Sequence, residues 1–114
     1  KMREFICSKI HRATVTEANI DYVGSITIDK ELIEKSGLLM GQKVLVVSVT
    51  SGARLETYVI EGERNSGIIC MNGAAAHLIK KGEIVIIIGF ELSQELIIPK
   101  TILVDENNRF VRYF

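Results

Sequence analysis

Gly24 and Ser25 are adjacent residues whose groups permit a reaction of the backbone itself. A serine hydroxyl can attack the carbonyl carbon of the preceding residue through a five-membered ring, which replaces the peptide bond by an ester. Loss of the Ser25 α-proton then expels the ester as a carboxylate, and hydrolysis of the dehydroalanine releases ammonia and leaves a pyruvoyl group. Such a reaction would divide the chain into residues 1–24 and 25–114.

The glycine of this pair favours such a reaction. Because Gly24 has no Cβ, its carbonyl can approach a hydroxyl in a backbone geometry that other residues resist. An ordinary Gly-Ser turn is the simpler alternative, since composition alone makes such a pair frequent. The pair needs support from its surroundings.

Two cations and a phenol are the other groups with chemical potential. Arg54 carries a planar fork that suits a carboxylate, and Lys9 is a point charge on a strand where it faces the same side as His11. Tyr58 lies four residues after Arg54, so on a regular strand both side chains share a face, and its phenol can donate a proton. Thr57 then points to the opposite face. Solvated surface charges are the alternative for both cations.

Composition limits the class of protein. The chain has 114 residues, 47% of them hydrophobic, which predicts one globular domain, residues 1–114. Lys plus Arg and Asp plus Glu both number 14, so nucleic acid is not an expected partner. The longest apolar run, residues 84–90, is too short to span a bilayer, and no signal-peptide pattern is present. We expect a cytoplasmic protein without a membrane partner.

Cys7 and Cys70 each lie in an apolar segment. They lack the C-x-x-C spacing of a metal site or redox pair, and two cysteines do not form a disulfide framework. We predict buried reduced thiols and no metal site.

Strand patterns dominate the chain. Residues 5–12 alternate, residues 44–50 and 55–61 are β-rich runs around a four-residue break, and residue 68 begins another strand. Asp29 as N-cap and Gly37 as C-cap residue predict one short helix after residue 28. Residues 72–77 suggest a turn into a helical turn. These features predict a mainly β fold with one or two short helices.

The last two segments add to this pattern. Residues 84–88 are apolar at every position, so both faces of that strand need cover, which a closed barrel or burial between subunits would supply. After Pro99, residues 102–104 and 110–113 flank a turn and predict a hairpin-like arm.

Four sequence blocks occur in order: SKIHRA at 8–13, YVGSITID at 22–29, RLETY at 54–58 and NGAAA at 72–76. Together they resemble the pyruvoyl-dependent aspartate 1-decarboxylase family. The likeness covers residues 2–90 and is expected to fade in the last twenty or so. The resemblance implies a small six-stranded double-psi β-barrel.

The resemblance also implies an activity and a cofactor. A covalent pyruvoyl group derived from Ser25 would act as an electron sink, so that L-aspartate loses its α-carboxylate as CO2 and leaves as β-alanine, a precursor for pantothenate and coenzyme A. The family pattern implies a homotetramer with sites between neighbouring subunits. Whether a separate maturation protein is needed stays open.

Site residues carry over by position. Ser25 and Tyr58 are the expected catalytic residues, with Tyr58 as the general acid. Thr57, with Asn72 as a second donor, is expected to stabilise the oxyanion of the acyl shift beside Gly24 and Ser25. The substrate-binding set implied by the resemblance is Lys9, His11, Tyr22, Arg54, Thr57, Asn72, Gly73, Ala74 and Ala75.

Two readings without catalysis compete with this one. Small β-barrels also serve as binding modules, so the fold alone does not imply an enzyme. An unprocessed chain that keeps Ser25 as serine would be a scaffold or binding protein. Cleavage between residues 24 and 25 separates these alternatives.

Overall fold

The computed structural model describes all 114 residues and is mainly β. The strands are β1 (Arg3–Thr14), β2 (Glu17–Asn19), β3 (Ser25–Asp29), β4 (Lys43–Ser48), β5 (Arg54–Gly62), β6 (Ile69–Asn72), β7 (Ile84–Ser93), β8 (Lys100–Val104) and β9 (Phe110–Tyr113). The helices are α1 (Lys30–Ser36) and α2 (Ala75–Leu78). The predicted fold class, mainly β with one or two short helices, is confirmed.

Six strand positions surround the core. The hydrogen-bonded order is β2-β6-β3-β5-β4-β7-β1-β8-β9. Strand β2 follows β1 after two residues, and between them the Thr16 amide donates to the Ile69 carbonyl at 2.8 Å while the Thr16 hydroxyl accepts from the Ile69 amide at 3.0 Å. β1 and β2 therefore act as one long strand. Its β1 part pairs with β7 along one edge, and its β2 part pairs with β6 along the opposite edge. This ring agrees with the expected six-stranded barrel, and β8 and β9 lie outside it.

Alternate residues of the six strand positions fill the barrel. This core includes Ile10, Ala13, Val15, Ile26, Ile28, Val44, Val46, Val59, Ile69, Met71, Val85 and Ile87, all nearly inaccessible to solvent. In β7, Val85 and Ile87 are fully buried, whereas Ile84, Ile86 and Ile88 on the other face are half-buried. The apolar run of β7 is thus covered completely on its inner face only.

Helix α1 begins and ends as predicted. The Asp29 carboxylate accepts a hydrogen bond from the Glu31 amide at 2.8 Å, and Gly37 terminates the helix with a φ of 78°. The same carboxylate accepts from the amides of Asn65 and Gly67, both at 2.9 Å. Asp29 therefore fixes the start of α1 and the loop before β6 together.

The C-terminal arm is attached to the barrel by Asn108. Strand β8 runs parallel to β1 and pairs antiparallel with β9, so the predicted hairpin-like arm is confirmed. The buried Asn108 amide group donates to the carbonyls of Thr14 and Gly67 at 2.8 Å each, and its oxygen accepts from the Thr14 amide at 2.8 Å. The turn between β8 and β9 is thereby bound to the end of β1.

The two cysteines differ in environment. Cys70 is buried and free, as predicted, but Cys7 is only half-buried, because a register shift of β1 against β7 lies at that position. Neither helix of the structure combines the length and the apolar character needed to cross a bilayer.

We predict that Asn108→Ala lowers the free energy of unfolding by about 3 kcal/mol, because three buried backbone groups lose their partner and alanine takes a φ of 60°. Urea denaturation measures this. The neighbouring exposed Asn107→Ala is the control and should cost less than about 0.5 kcal/mol. Equal effects of the two changes would show that the Asn108 contacts do not hold the arm.

Candidate active site

The Gly24–Ser25 bond lies where an exposed turn enters the barrel. Tyr22 and Val23 are exposed, Gly24 is half-buried, and Ser25, the first residue of β3, is only 4% exposed. The peptide bond of interest therefore sits at a boundary between solvent and the packed interior.

Gly73, rather than Gly24, is the glycine that the local geometry requires. Gly73 has a φ of 67°, and a Cβ built on it would lie 2.7 Å from the Gly24 Cα and 2.8 Å from both the Gly24 nitrogen and the Tyr22 carbonyl oxygen. A Cβ built on Gly24 would meet only the Asn72 carbonyl oxygen, at 3.9 Å. A Cβ on Gly24 therefore has room in this structure, and the close backbone approach depends on Gly73. That Gly24 lets its carbonyl approach the hydroxyl in a geometry other residues resist stays a prediction.

Asn72 holds the Ser25 hydroxyl. The two residues are direct neighbours in the antiparallel pairing of β3 and β6. The Asn72 side-chain amide group donates to Ser25 Oγ at 2.8 Å and to Thr27 Oγ1 at 2.9 Å, and Asn72 is only 3% exposed. The hydroxyl that the sequence marks as reactive is thus fixed by a buried donor.

Two cavities meet at this point. The first has a volume of about 360 Å³, and the second has a volume of about 480 Å³. The first is lined by Gly24, Leu55, Glu56, Thr57, Tyr58, Asn72, Ala74, Ala75 and Leu78. The second is lined by Glu17, Tyr22, Val23, Ser25, Thr27, Tyr58, Ile60, Glu61, Ile68, Cys70 and Asn72. Tyr58 and Asn72 border both cavities and so separate them.

Thr57 and Tyr58 reach one cavity from opposite faces of β5. The pairing of β4 with β5 runs without a register shift, so Thr57 lies on the face of the buried Val59 and Tyr58 on the other. Pairing of β5 with β3 begins only at Val59, opposite Ile26. Because no strand adjoins residues 54–58 on that edge, side chains from both faces border the same opening.

Lys9, His11 and Arg54 lie outside both cavities. Lys9 and His11 share a face of β1, as predicted, and lie opposite Thr101 and Leu103 of β8. The His11 ring packs edge-on against Phe114 with the centroids 5.5 Å apart. Burial, and then the charges of Lys9 and Arg12, lower the pKa of His11 below its ordinary value.

Arg54 shares the outer face of β5 with Tyr58, but four residues of strand separate them by about 13 Å. Within one chain the structure therefore brings together Gly24, Ser25, Thr57, Tyr58, Asn72, Ala74 and Ala75, with Tyr22 and Gly73 beside them. It does not add the two predicted cations and His11, whose part in substrate binding stays a prediction.

Three residues of the site escaped the sequence analysis. The Cys70 thiol donates to Asn72 Oδ1 at 3.1 Å and lies 3.4 Å from Glu17 Oε2, and Thr27 shares the Asn72 amide group with Ser25. The spacing of Cys70 and Asn72, two residues apart on a strand, was the available signal.

We predict that Gly73→Ala costs about 3 kcal/mol of unfolding free energy, because the methyl group must displace the backbone of Gly24 in addition to the strain of a positive φ. Gly82→Ala is the matched control, since Gly82 has a φ of 92° and open space around it. That variant should lose only about 1 kcal/mol. Urea denaturation compares them, and equal losses would contradict a tight contact at Gly73.

Comparison with known proteins gives a consistent result. The family model described as aspartate decarboxylase matches residues 1–111, so the expectation that the likeness fades after residue 90 is wrong. Aspartate 1-decarboxylase of Caldicellulosiruptor saccharolyticus is 55% identical over 113 residues, 96% of this chain and 88% of that protein. The enzyme of that name from Carboxydothermus hydrogenoformans is 57% identical over 108 residues, covering 91% and 85%.

A third relative and one solved structure complete the comparison. Aspartate 1-decarboxylase of Corynebacterium efficiens is 52% identical over 114 residues, 96% of this chain and 84% of that protein. The crystal structure of the computationally designed msDPBB_sym2 protein is similar with a TM-score of 0.47 and 19% identity, covering 76% of this chain and 99% of that one. By its match along residues 1–111 and by these relatives, the chain belongs to the aspartate decarboxylase family.

Proposed function

We propose that this protein decarboxylates L-aspartate to β-alanine with a pyruvoyl group that it makes from Ser25. Membership of the family supports the reaction. The observation that carries the proposal is the junction itself, where the Ser25 hydroxyl accepts a hydrogen bond from buried Asn72 at 2.8 Å and Gly73 packs against the Gly24 backbone.

Self-cleavage begins at the Gly24 carbonyl. Ser25 Oγ attacks this carbon, the C–N bond breaks, and the nitrogen leaves as an amine while residue 24 becomes an ester on Oγ. The Thr57 hydroxyl, which borders the same cavity as Gly24, is the candidate donor to the oxyanion of this step. The close contact with Gly73 restricts the Gly24 backbone during the attack.

Asn72 serves the second step better than the first. Removal of the Ser25 α-proton breaks the Cβ–Oγ bond, and negative charge then develops on Oγ as residue 24 departs as a carboxylate. The Asn72 N–H group already points at Oγ from 2.8 Å, which is where a donor stabilises this charge. Hydrolysis of the dehydroalanine releases ammonia and yields chains 1–24 and 25–114.

The surroundings of residue 25 fit a pyruvoyl group. The group is small and planar, would replace residue 25 itself with a keto group at the former Cα and a methyl group at Cβ, and needs a polar partner for the keto oxygen. The Asn72 amide group, which contacts residue 25, is the candidate polar partner. The cavity lined by Ser25 and Tyr58 leaves space for the substrate beside it. When present, the group accepts the electrons that the α-carboxylate of the substrate leaves behind.

Tyr58 is the residue placed to return a proton to the substrate. It is 38% exposed and borders both cavities, so its phenol can reach a substrate beside residue 25 from the solvent side. A phenol O–H group can donate its proton to a strongly basic carbon. Ala74 and Ala75 line the first cavity together with Tyr58, and their small side chains leave room for the substrate.

Carboxylate recognition by Lys9 and Arg54 requires a second copy of the chain. In a single copy both cations lie away from the cavities, while the cavities themselves contain Glu17, Glu56 and Glu61 and no free cation. An arrangement in which a neighbouring copy presents its cations to Ser25 would complete the site, in keeping with the homotetramer that the resemblance implies.

We predict that Ser25→Ala abolishes both cleavage and decarboxylation, because alanine has no oxygen to attack the Gly24 carbonyl. Intact-mass measurement should show two chains for the parent protein and one full-length chain for the variant. Ser36→Ala is the control, since Ser36 is a buried serine that only bonds the Ile33 carbonyl. A parent protein that stays in one piece and forms no β-alanine after long incubation would instead support the unprocessed binding or scaffold protein.

We expect Tyr58→Phe to cleave at the parent's rate and to decarboxylate aspartate about 100-fold or more slowly, because only the proton donor is removed. CO2 release per cleaved chain is the measurement. Tyr113→Phe is the matched control, since the Tyr113 hydroxyl donates to the Lys35 carbonyl and neither residue lines the two cavities. Parental turnover by Tyr58→Phe would assign proton donation to another group.

A further inference from the structure

A row of polar side chains runs beside Ser25 across three strands. Glu17 Oε2 on β2 lies 3.4 Å from the Cys70 thiol on β6, and the thiol lies 3.1 Å from Asn72 Oδ1. The Asn72 amide nitrogen then contacts Ser25 Oγ at 2.8 Å and Thr27 Oγ1 at 2.9 Å on β3. The proposed function uses only the last members of this row.

Strand register explains the row. Glu17 pairs with Cys70 and Asn72 with Ser25 in the two ladders of β6. Cys70 and Asn72 are two residues apart on β6 and share a face. Ile69 and Met71 point to the other face and pack in the barrel core. The row thus lies on the outer face of these strands, with Cys70, Asn72 and Ser25 buried, Thr27 half-buried and Glu17 exposed.

The orientation of the Asn72 amide decides whether an N–H group or a carbonyl oxygen faces Ser25 Oγ. The oxygen and nitrogen ends of an asparagine side chain have nearly the same shape, and the hydroxyls of Ser25 and Thr27 can each donate or accept. These two hydroxyls therefore accommodate either end of the amide. A reversed amide would place a carbonyl oxygen against Ser25 Oγ and oppose the charge that develops there during elimination.

The Cys70 thiol is the neighbour that distinguishes the two ends. Burial, followed by the nearby Glu17 carboxylate, raises the pKa of Cys70 to about 11, so the thiol keeps its proton at neutral pH. Of the two side-chain oxygens near the Cys70 sulfur, Asn72 Oδ1 is the nearer, at 3.1 Å, and Glu17 Oε2 lies at 3.4 Å. A protonated donor on this side favours the amide oxygen facing sulfur and the N–H group facing Ser25.

We propose that Cys70 is a positioning residue for self-cleavage, whose S–H group orients the Asn72 amide so that its N–H group faces Ser25 Oγ. This inference rests on the proposed function, since it concerns how the Ser25 ester is eliminated. Cys70 does not touch the reacting carbonyl and acts only through Asn72.

Three substitutions separate orientation from packing. Cys70→Ala removes the donor and leaves a small void, Cys70→Val fills the space without a donor, and Cys70→Ser keeps a donor in a slightly smaller side chain. We expect cleavage to slow about 3- to 10-fold in the alanine and valine variants and to stay within about 2-fold of the parent in the serine variant. Intact mass against time after synthesis gives the rates, and thermal unfolding gives the stability.

A purely structural role predicts the opposite order, with valine restoring the parent's rate and serine failing to do so, and that result would overturn the proposal. So would parental rates in all three variants. Cys7→Ala is the matched control, because Cys7 is the other free cysteine and its sulfur makes polar contacts only with Ser8 and Gln42. It should cleave like the parent.

The parent chain, measured alongside, keeps the two proposals distinguishable. Absence of cleavage in the parent would refute the proposed function and this inference together. Cleavage of the parent with no difference between donor and non-donor variants would refute the inference alone and leave the decarboxylase proposal intact.

Discussion

The contact between Gly73 and Gly24 is the constraint on which the site depends. Antiparallel pairing places Ser25 opposite Asn72, and the chain then passes Gly73 so closely that its Cα hydrogen occupies the space where any other side chain would strike residue 24. A change of one residue in the register of β3 against β6 would turn Ser25 into the barrel core and Ile26 outwards. The buried isoleucines on either side make such a slip costly, so hydrophobic burial secures the position of a polar group.

In each short strand, alternate residues face the core and the residues between them face outwards. In β3, Ile26 and Ile28 pack into the core, while Ser25 and Thr27 project to the outer layer, and β6 repeats this with Met71 inside and Asn72 outside. Because the inner residues cannot move without opening the barrel, the outer ones inherit fixed positions. The buried polar side chains of this outer layer all have hydrogen-bond partners, as low-dielectric surroundings require.

Much of this could be predicted from the sequence, for reasons that are local. The caps of α1 at Asp29 and Gly37 and the strands around residues 44–61 follow from side-chain type and spacing. Strand β3 was not predicted, because its five residues merge with the pattern of the following helix. The tight position of Gly73 against Gly24 and the contact of Asn72 with Ser25 depend on which strands become neighbours across nearly fifty residues of chain. No local pattern contains that information.

The long strand formed by β1 and β2 has a consequence for a chain cut after residue 24. The smaller product would consist almost entirely of this strand, held along one edge by β7 and along the other by β8 and β6. It would stay bound to the larger product without a covalent link, with Ile10 and Val15 still buried in the core. Before the cut, folding is a unimolecular event of one polypeptide; afterwards, recovery from denaturation would need two separate molecules to meet, so its rate would depend on concentration. Maturation would therefore turn a reversible fold into one that is best made only once.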